Sequence, residues 1–151
     1  MDNTELKSFI LEKVPEAEVT EGKQYLTAIV PLEKLHDFAT ALKSSPETSF
    51  DYLFCLSGVD YPEYMMIVYH LESTTHKHAL VLKTKTDGRE NPVVDSVFDI
   101  WKTAEFHERE VYDLLGVKFA NHPDLRRLFL EDHWGFPLRK DYVDEVRIVE
   151  R

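Results

Sequence analysis

Apolar and polar positions divide the chain into stretches of different period. Over "TELKSFILEKV", Leu6, Phe9, Ile10 and Lys13 recur at helical spacing, with Thr4 placed to cap the N-terminus. "QYLTAIVP" changes to period two: Tyr25, Thr27 and Ile29 alternate with Leu26, Ala28 and Val30, as in a strand that is apolar on both faces. "LEKLHDFATALK" is helical again, with Leu32, Leu35, Phe38, Ala39 and Leu42 on one stripe, and Pro46 ends it because it cannot continue the hydrogen-bond ladder. Three strand-like runs follow, "SFDYLFCLSGVD", "EYMMIVYHL" and "KHALVLKTKT", joined by the short links "DYPE" and "ESTTH", which predicts an antiparallel meander. "DGRENP" is a loop with a turn at Asp87-Gly88, and a long helical segment runs from about Val93 to Leu115, with Gly116 as its C-terminal cap.

This order predicts an α+β fold: a small antiparallel sheet of about four strands, helices packed on one face, and an irregular, charged C-terminal segment. The 151 residues fit one domain, 1–151, in three parts: a sheet part over 1–90, a long helix over 91–116 and a docking segment over 117–151. The chain shows no internal repeat, low-complexity tract or linker.

The long helix contains an anomaly. In "FHEREVYDLLG", four consecutive polar or charged residues, His107 to Glu110, interrupt an apolar pattern. At 100° per residue, Val97, Trp101, Ala104, Val111, Tyr112 and Leu115 share an arc, and Glu108 falls about 20° from Val97, at the arc's centre. Arg109 lies at its edge, with Glu105 and Asp113 at i−4 and i+4, the spacing of intrahelical ion pairs. Glu110 and His107 can face water. A carboxylate on a packing face is costly unless it is paired and hydrogen-bonded, so Glu108 needs a partner. The nearest cations are Arg126-Arg127 and then Arg139-Lys140, and a guanidinium can grip a carboxylate through two parallel bonds. The expectation is that Glu108 ties the helix to the C-terminal segment; the alternative is that the helix breaks near Thr103 and Glu108 frays outward.

Charge and composition narrow the function. With 28 acidic and 18 basic residues, the net charge of −10 opposes nucleic-acid binding. The single cysteine, Cys55, forms no internal disulfide and cannot supply a multi-thiolate cluster; it is expected to be a buried core thiol. No apolar run approaches a membrane span, and the polar "MDNTELKSFI" does not look like a targeting peptide. A soluble, cytosolic chain that reaches any membrane process through a partner is expected.

Local chemistry is sparse. His76 and His78 lie two apart, with His70 on the neighbouring strand, which makes a three-histidine metal site conceivable; polar residues on the solvent face of a sheet are the plainer account. His122, before Pro123, is either an acid–base group or a loop-orienting residue. Ser57-Gly58 lacks a nucleophile-elbow context, and the five scattered glycines form no phosphate loop. "WGFPLRKDY" gathers Trp134, Phe136, Pro137 and Tyr142 around Arg139, Lys140 and Asp141, types enriched at protein–protein interfaces.

Taken together, Phe106 to Tyr142 closely resembles the signature region of the C subunit of NADH–quinone oxidoreductase, the respiratory complex I 30-kilodalton subunit family. The resemblance rests on Glu108, Arg109, Glu110, Asp113, Leu114, Gly116, Val117, Phe119, His122, Pro123, Leu125, Arg126, Arg127 and Leu128, and then on Pro137, Leu138, Arg139, Lys140, Asp141 and Tyr142. Trp134 and Gly135 are adjacent where the family usually separates them, Phe136 replaces a common histidine or tyrosine, and the chain stops soon after Tyr142 where many relatives continue.

The resemblance implies a non-catalytic scaffold of the peripheral arm of a proton-translocating NADH–quinone oxidoreductase. Such a scaffold holds the quinone-proximal large subunit and its neighbours, on the cytoplasmic side of a bacterial inner membrane. Flavin, iron–sulfur clusters, NADH and quinone would bind other subunits, leaving no catalytic, cofactor or metal residue here. Docking and shaping of the docking segment would fall to Glu108, Arg109, Glu110, Asp113, Gly116, His122, Pro123, Arg126, Arg127, Pro137, Arg139, Lys140, Asp141 and Tyr142. The rivals are the homologous scaffold of a membrane-bound [NiFe]-hydrogenase or formate hydrogenlyase, a small histidine-dependent metal enzyme, and a free regulatory binding module.

Overall fold

In the computed structural model, which describes residues 2–127, 130 and 135–140, a capping box opens the first helix. The Asp2 carboxylate accepts from the Glu5 amide at 2.8 Å and Glu5 accepts from the Asp2 amide at 3.1 Å, so helix α1 spans Asn3–Lys13. The cap is therefore Asp2 and not Thr4, because the Asp2/Glu5 pair satisfies two free amides at once. Leu6, Phe9 and Ile10 form its buried face, as their spacing predicts.

The rest of the chain builds β1 (Glu18–Glu21), β2 (Leu26–Val30), a single 3-10 turn at Leu32–Lys34, α2 (Leu35–Ser44), β3 (Tyr52–Asp60), β4 (Met65–Ser73), β5 (His78–Lys85), β6 (Val93–Asp95), α3 (Ala104–Leu115) and β7 (Lys118–Ala120). The α+β class and the β3–β4–β5 meander match the sequence pattern. The main sheet has five strands rather than about four, in the order β1-β2-β5-β4-β3, and it is mixed: β2 runs parallel to β5. β1 carries no alternation to betray it. Three of its four positions are exposed, and it pairs with β2 through a tight turn in which Gly22 donates to the Tyr25 carbonyl at 2.9 Å.

The predicted helix over 91–116 is two structures. Val93–Asp95 pairs in parallel with β7 as a small second sheet, and turns carry the chain to Ala104, where α3 begins. The intervening side chains are used elsewhere: the Trp101 indole donates to the Phe50 carbonyl at 2.9 Å and the Thr103 hydroxyl to the Leu53 carbonyl at 2.8 Å. These bonds fasten residues 101–103 to the sheet in place of a helical ladder. Val97 and Trp101 are still buried, so the apolar stripe holds even though the backbone beneath its first half is not helical.

Helices α1, α2 and α3 lie on one face of the main sheet. Their apolar residues join Leu26, Ala28, Leu53, Leu56, Ile67, Tyr69, Leu71, Leu80 and Leu82 in one core, whereas Met66, Val68 and Val81 form a separate cluster on the opposite face. α3 comes especially close to β3: a Cβ added at Gly58 would meet Leu115 Cδ1 at 2.6 Å and Val111 Cγ1 at 3.1 Å.

Candidate docking interface

Glu108 is fully buried, as its angular position predicts, but among the described residues no arginine meets it. The Ser96 hydroxyl donates to its Oε1 at 2.6 Å and the Val97 amide to its Oε2 at 3.1 Å. Ser96 in turn accepts from the Phe98 amide at 3.1 Å, which orients the hydroxyl proton toward the carboxylate. His122 Nε2 lies 3.9 Å from Oε1 and donates to the Glu105 carbonyl at 3.1 Å, while its Nδ1 accepts from the Asp124 amide at 3.0 Å. These bonds assign the Nε2-protonated tautomer and make His122 a loop-orienting residue. Burial pushes the Glu108 carboxyl up to about 7, against the opposing pull of the two hydrogen bonds. The Tyr69 hydroxyl is buried on the same side, and burial followed by the negative charges of Glu108 and Asp95 drives it well above the usual phenol range. Glu108 thus joins α3 to the segment after β6, not to the C-terminal arginines.

The C-terminal segment is fastened by the residues on either side of that face. Arg109 is buried and donates from Nε and Nη2 to the carbonyls of Arg126 and Arg127, both at 3.2 Å, with its guanidinium 5.7 Å from the Phe106 ring centre. The intrahelical pairing expected for Arg109 is replaced by this grip on a neighbouring backbone. Asp113, also fully buried, receives Arg127 Nε on Oδ1 at 2.6 Å and the Leu130 amide on Oδ2 at 3.2 Å. Arg127 Nη2 also donates to the Asp113 carbonyl at 2.7 Å and to the Gly135 carbonyl. One guanidinium therefore bridges the last turns of α3 and the 135–140 segment.

α3 ends where that segment returns. Gly116 has φ +78°, and a Cβ there would sit 2.7 Å from the Phe136 ring and 2.9 Å from Arg139 Nη2. Arg139 Nε donates to the Leu115 carbonyl at 2.6 Å and the Leu138 amide to the Leu114 carbonyl at 3.0 Å, so the last carbonyls of α3 are capped by this strap. Phe136 lies between Arg127 and Arg139, 5.2 and 5.3 Å from their guanidinium carbons. The strap's far end is tied to the sheet: the Lys140 amide donates to Asp60 Oδ2 at 2.8 Å, and Asp60 is gripped by Arg89 through 2.9 and 2.7 Å bonds.

The structure brings together Glu108, Arg109, Asp113, Gly116, His122, Arg127, Arg139 and Lys140 from the sequence-predicted set. Arg126 is different: its side chain is 69% exposed and makes a surface pair with Asp124 at 3.0 Å. Glu110 and Pro137 are half-buried and Pro123 is exposed. Leu128, Trp134, Asp141 and Tyr142 lie outside the described residues. Ser96, Asp60 and Arg89 join the site without any sequence signal. Each acts across 12 to 80 positions of sequence, and none sits in a local motif that would single it out.

The three histidines do not converge. His78 stands opposite Ser73 on the helix-covered face, 4.7 Å from the Phe50 ring, whereas His70 stands opposite Cys55 and Val81 on the other face. His76 and His78 bond the Pro46 and Thr48 carbonyls at 2.7 and 2.9 Å. Among the described residues, no three His, Cys, Asp or Glu side chains are grouped to hold a metal ion. Cys55 is half-buried on the helix-free face, not a core thiol, because a register shift between Leu53 and Cys55 turns it outward. No described helix is long and apolar enough to cross a membrane.

The fold and these fasteners define a class: an α+β domain whose charged motif residues hold a non-repetitive C-terminal strap against helix and sheet. The sequence model of the family "Respiratory-chain NADH dehydrogenase, 30 Kd subunit" matches residues 28–146, and the chain belongs to that family. It is 50% identical over 119 residues to the NADH-quinone oxidoreductase C/D subunit of Phocaeicola vulgatus, covering 78% of this chain and 22% of that protein. It is 47% identical over 109 residues to the NADH-quinone oxidoreductase C subunit of Chloroherpeton thalassium, covering 70% and 45%. With the C subunit of Moorella thermoacetica the identity is 41% over 131 residues, 85% of this chain and 86% of that one. The chain thus spans less than half the length of the first two relatives. Its fold resembles a chain of the membrane-bound sulfane sulfur reductase, an archaeal respiratory membrane complex, with a TM-score of 0.80 and 29% identity over 95% of this chain and 86% of that one.

Proposed function

We propose that this chain is a non-catalytic structural subunit of the peripheral arm of a proton-translocating NADH–quinone oxidoreductase, where it docks the quinone-proximal large subunit. The observation that carries this reading is the Arg127 bridge. A buried aspartate, a helix-terminal carbonyl and a strap carbonyl are all spent on fixing one irregular segment. That fixed segment presents Leu138 at 61% exposure and the Arg126 side chain at 69%, apolar and cationic groups suited to a permanent partner. Relatives named as C/D subunits support a large neighbour as that partner, because the matched region fills 22% and 24% of their length. In this reading NADH, flavin, iron–sulfur clusters and quinone bind other subunits, and the chain sits at the cytoplasmic side of a bacterial inner membrane through its partners.

The test is purification through a tag on this chain. A stoichiometric large subunit should be retained through high salt, NADH-dependent quinone reduction should follow the assembly, and the separated chain should carry no metal, flavin or turnover. Leu138→Asp with Arg126→Glu should release the large subunit while leaving the chain folded. A chain that purifies alone with its own redox centre overturns the proposal. The likeness to the sulfane sulfur reductase chain favours one second reading, the same scaffold in another respiratory membrane complex, such as a [NiFe]-hydrogenase. Nickel in the co-purified large subunit, without NADH oxidation, would select it.

A further inference from the structure

We infer that His122 is a proton-gated latch on α3. Its one N–H is held by the Glu105 carbonyl while Glu108 is protonated, passes to Glu108 once that carboxyl ionises, and carries the turn after β7 with it. The latch stands on the described side chains alone; its effect on assembly rests on the reading of the chain as a subunit.

Three segments meet at this point. α3 brings Glu105 and Glu108, the stretch after β6 brings Ser96 and Val97, and the turn after β7 brings His122. The His122 and Glu108 side chains are both fully buried, so neither can exchange its partners for bulk water. The Asp124 amide occupies Nδ1 at 3.0 Å, which leaves Nε2–H as the ring's only donor. Two acceptors lie near that donor, the Glu105 carbonyl at 3.1 Å and Glu108 Oε1 at 3.9 Å. The first bond is made. The second lies outside hydrogen-bond range, and an approach of about 1 Å would complete it. Asn121, at φ +64°, makes the bend that leads from β7 into His122. Beyond His122 come the Arg126 and Arg127 carbonyls, which Arg109 holds at 3.2 Å each, the long end of the range. A shift of His122 toward Glu108 therefore pulls on the start of the docking segment.

Charge decides which acceptor wins. A protonated carboxyl competes poorly with a backbone carbonyl, whereas an ionised one accepts a bond roughly twice as strong as a neutral pair makes. The Glu105 carbonyl also belongs to the helical ladder of α3, so the departing imidazole strands no buried acceptor. An ionised Glu108 has otherwise only the Ser96 hydroxyl and the Val97 amide. The other groups around it give no relief. Asp99, after β6, opposes its ionisation, and Asp99 is itself paired with His36 of α2 at 2.8 Å. Tyr69 of β4 contributes a buried phenol without a hydrogen-bond partner, which Glu108 and Asp95 of β6 help to keep neutral. Arg109, next along α3, is committed to the Arg126 and Arg127 carbonyls. Burial outweighs the two hydrogen bonds and sets the Glu108 titration at about 7, so the change of acceptor falls near neutral pH. The proton released by Glu108 goes to bulk water, and the Nε2 proton stays on the imidazole throughout.

The test begins with the wild-type chain and needs no substitution. NMR follows the His122 Nε2–H and Nδ1 resonances and the Glu108 carboxyl carbon across neutral pH. The expected result is that the N–H and carboxyl signals move together with one midpoint near 7, while Nδ1 stays in place because Asp124 keeps it. Glu108→Gln should hold the N–H signal at its low-pH position. In the complex purified through its tag, the large subunit should dissociate about fivefold or more faster above that midpoint than below it, and Glu108→Gln should remove the difference. An N–H signal that stays flat while Glu108 titrates overturns the latch, and so does a Glu108 that titrates at the ordinary carboxyl value. A large Nδ1 shift overturns it in favour of protonation of the imidazole itself. Retention of the large subunit that ignores pH overturns the effect on assembly. A chain that purifies alone overturns the subunit reading, and the resonances still decide the latch.

Discussion

Arg127 reaches back to Asp113 and holds it twice, with Nε 2.6 Å from Oδ1 and Nη2 2.7 Å from the backbone carbonyl. Both side chains are withdrawn from water, at 8% and 0% exposure. The pair is not simply an added attraction: desolvating two charges costs several kcal/mol each, which their mutual attraction roughly offsets. What the geometry gives is position. The guanidinium is planar and forked, so a carboxylate, a helix-end carbonyl and the Gly135 carbonyl together fix where the strap leaves α3.

Removing one partner of this pair is therefore expected to be much worse than removing a surface charge. Arg127→Ala strips a buried carboxylate of its guanidinium and should lower unfolding stability by about 3–5 kcal/mol. Arg126→Ala, at an exposed position one residue away, should cost less than about 1 kcal/mol. Urea unfolding of the two variants, followed by circular dichroism, measures both. Equal effects would mean that Arg127 is solvated and the bridge unimportant.

Glu108 gives the protein a dependence on pH. Its carboxyl is pushed up to about 7 in the folded chain, while an unfolded chain protonates near the ordinary value of 4.5. The folded state therefore holds the proton more tightly. Its contribution is fully present below pH 4.5 and is lost as pH rises through about 7, an effect on the order of 3 kcal/mol. Thermal unfolding should show stability falling between about pH 4.5 and 7, and Glu108→Gln should flatten that slope. The amide oxygen can still accept from the Val97 amide, and no charge remains to bury. A variant with the wild-type slope would assign the titration to another group.

The carboxylate also shows what is legible in the sequence. Within α3, Glu108 is four residues after Ala104 and three before Val111, so helical periodicity alone puts it on the buried face. Its partner is not legible. The expectation of an arginine assumes that a buried carboxylate needs a countercharge, whereas a hydroxyl and an amide suffice for a group that is half-protonated near neutrality. The stripes of α1 and α2, the meander and the Gly116 cap come through because each depends on neighbours in sequence. β1 does not, since an exposed edge strand carries no apolar period. Nor do the β2–β5 parallel pairing or the Asp60–Arg89–Lys140 node, which join residues far apart in the chain.

The α3 terminus tests the strap from its other side. Gly116→Ala forces a side chain into the left-handed region and drives its Cβ to 2.7 Å from Phe136. The left-handed backbone alone costs about 1–2 kcal/mol, and the clash about 1–3 more. In a Phe136→Ala background the ring clash is gone while the strained backbone and the 2.9 Å approach to Arg139 Nη2 remain, so a double-mutant cycle on thermal unfolding should give a coupling of about 1 kcal/mol or more. Strict additivity would mean that Phe136 does not rest on Gly116.

Asp60 offers the sharpest test of the strap's far end, because one backbone amide reports on it. Asp60 is 5% exposed; Arg89 takes both of its oxygens, and the Lys140 amide bonds Oδ2 at 2.8 Å. Asp60→Asn removes the negative charge and leaves one acceptor oxygen for three donors, so an Arg89 N–H or the Lys140 amide must face an NH2 group. Stability should fall by about 3 kcal/mol or more, as for other broken buried pairs. Hydrogen exchange at the Lys140 amide should accelerate well beyond that global change, because the strap would detach by local opening while α1 and α2 exchange only with whole-chain unfolding. If Lys140 exchanges no faster than these helices, the strap does not depend on Asp60. If it accelerates and the large subunit is also lost from the purified complex, the ion pair at the end of β3 shapes the docking segment.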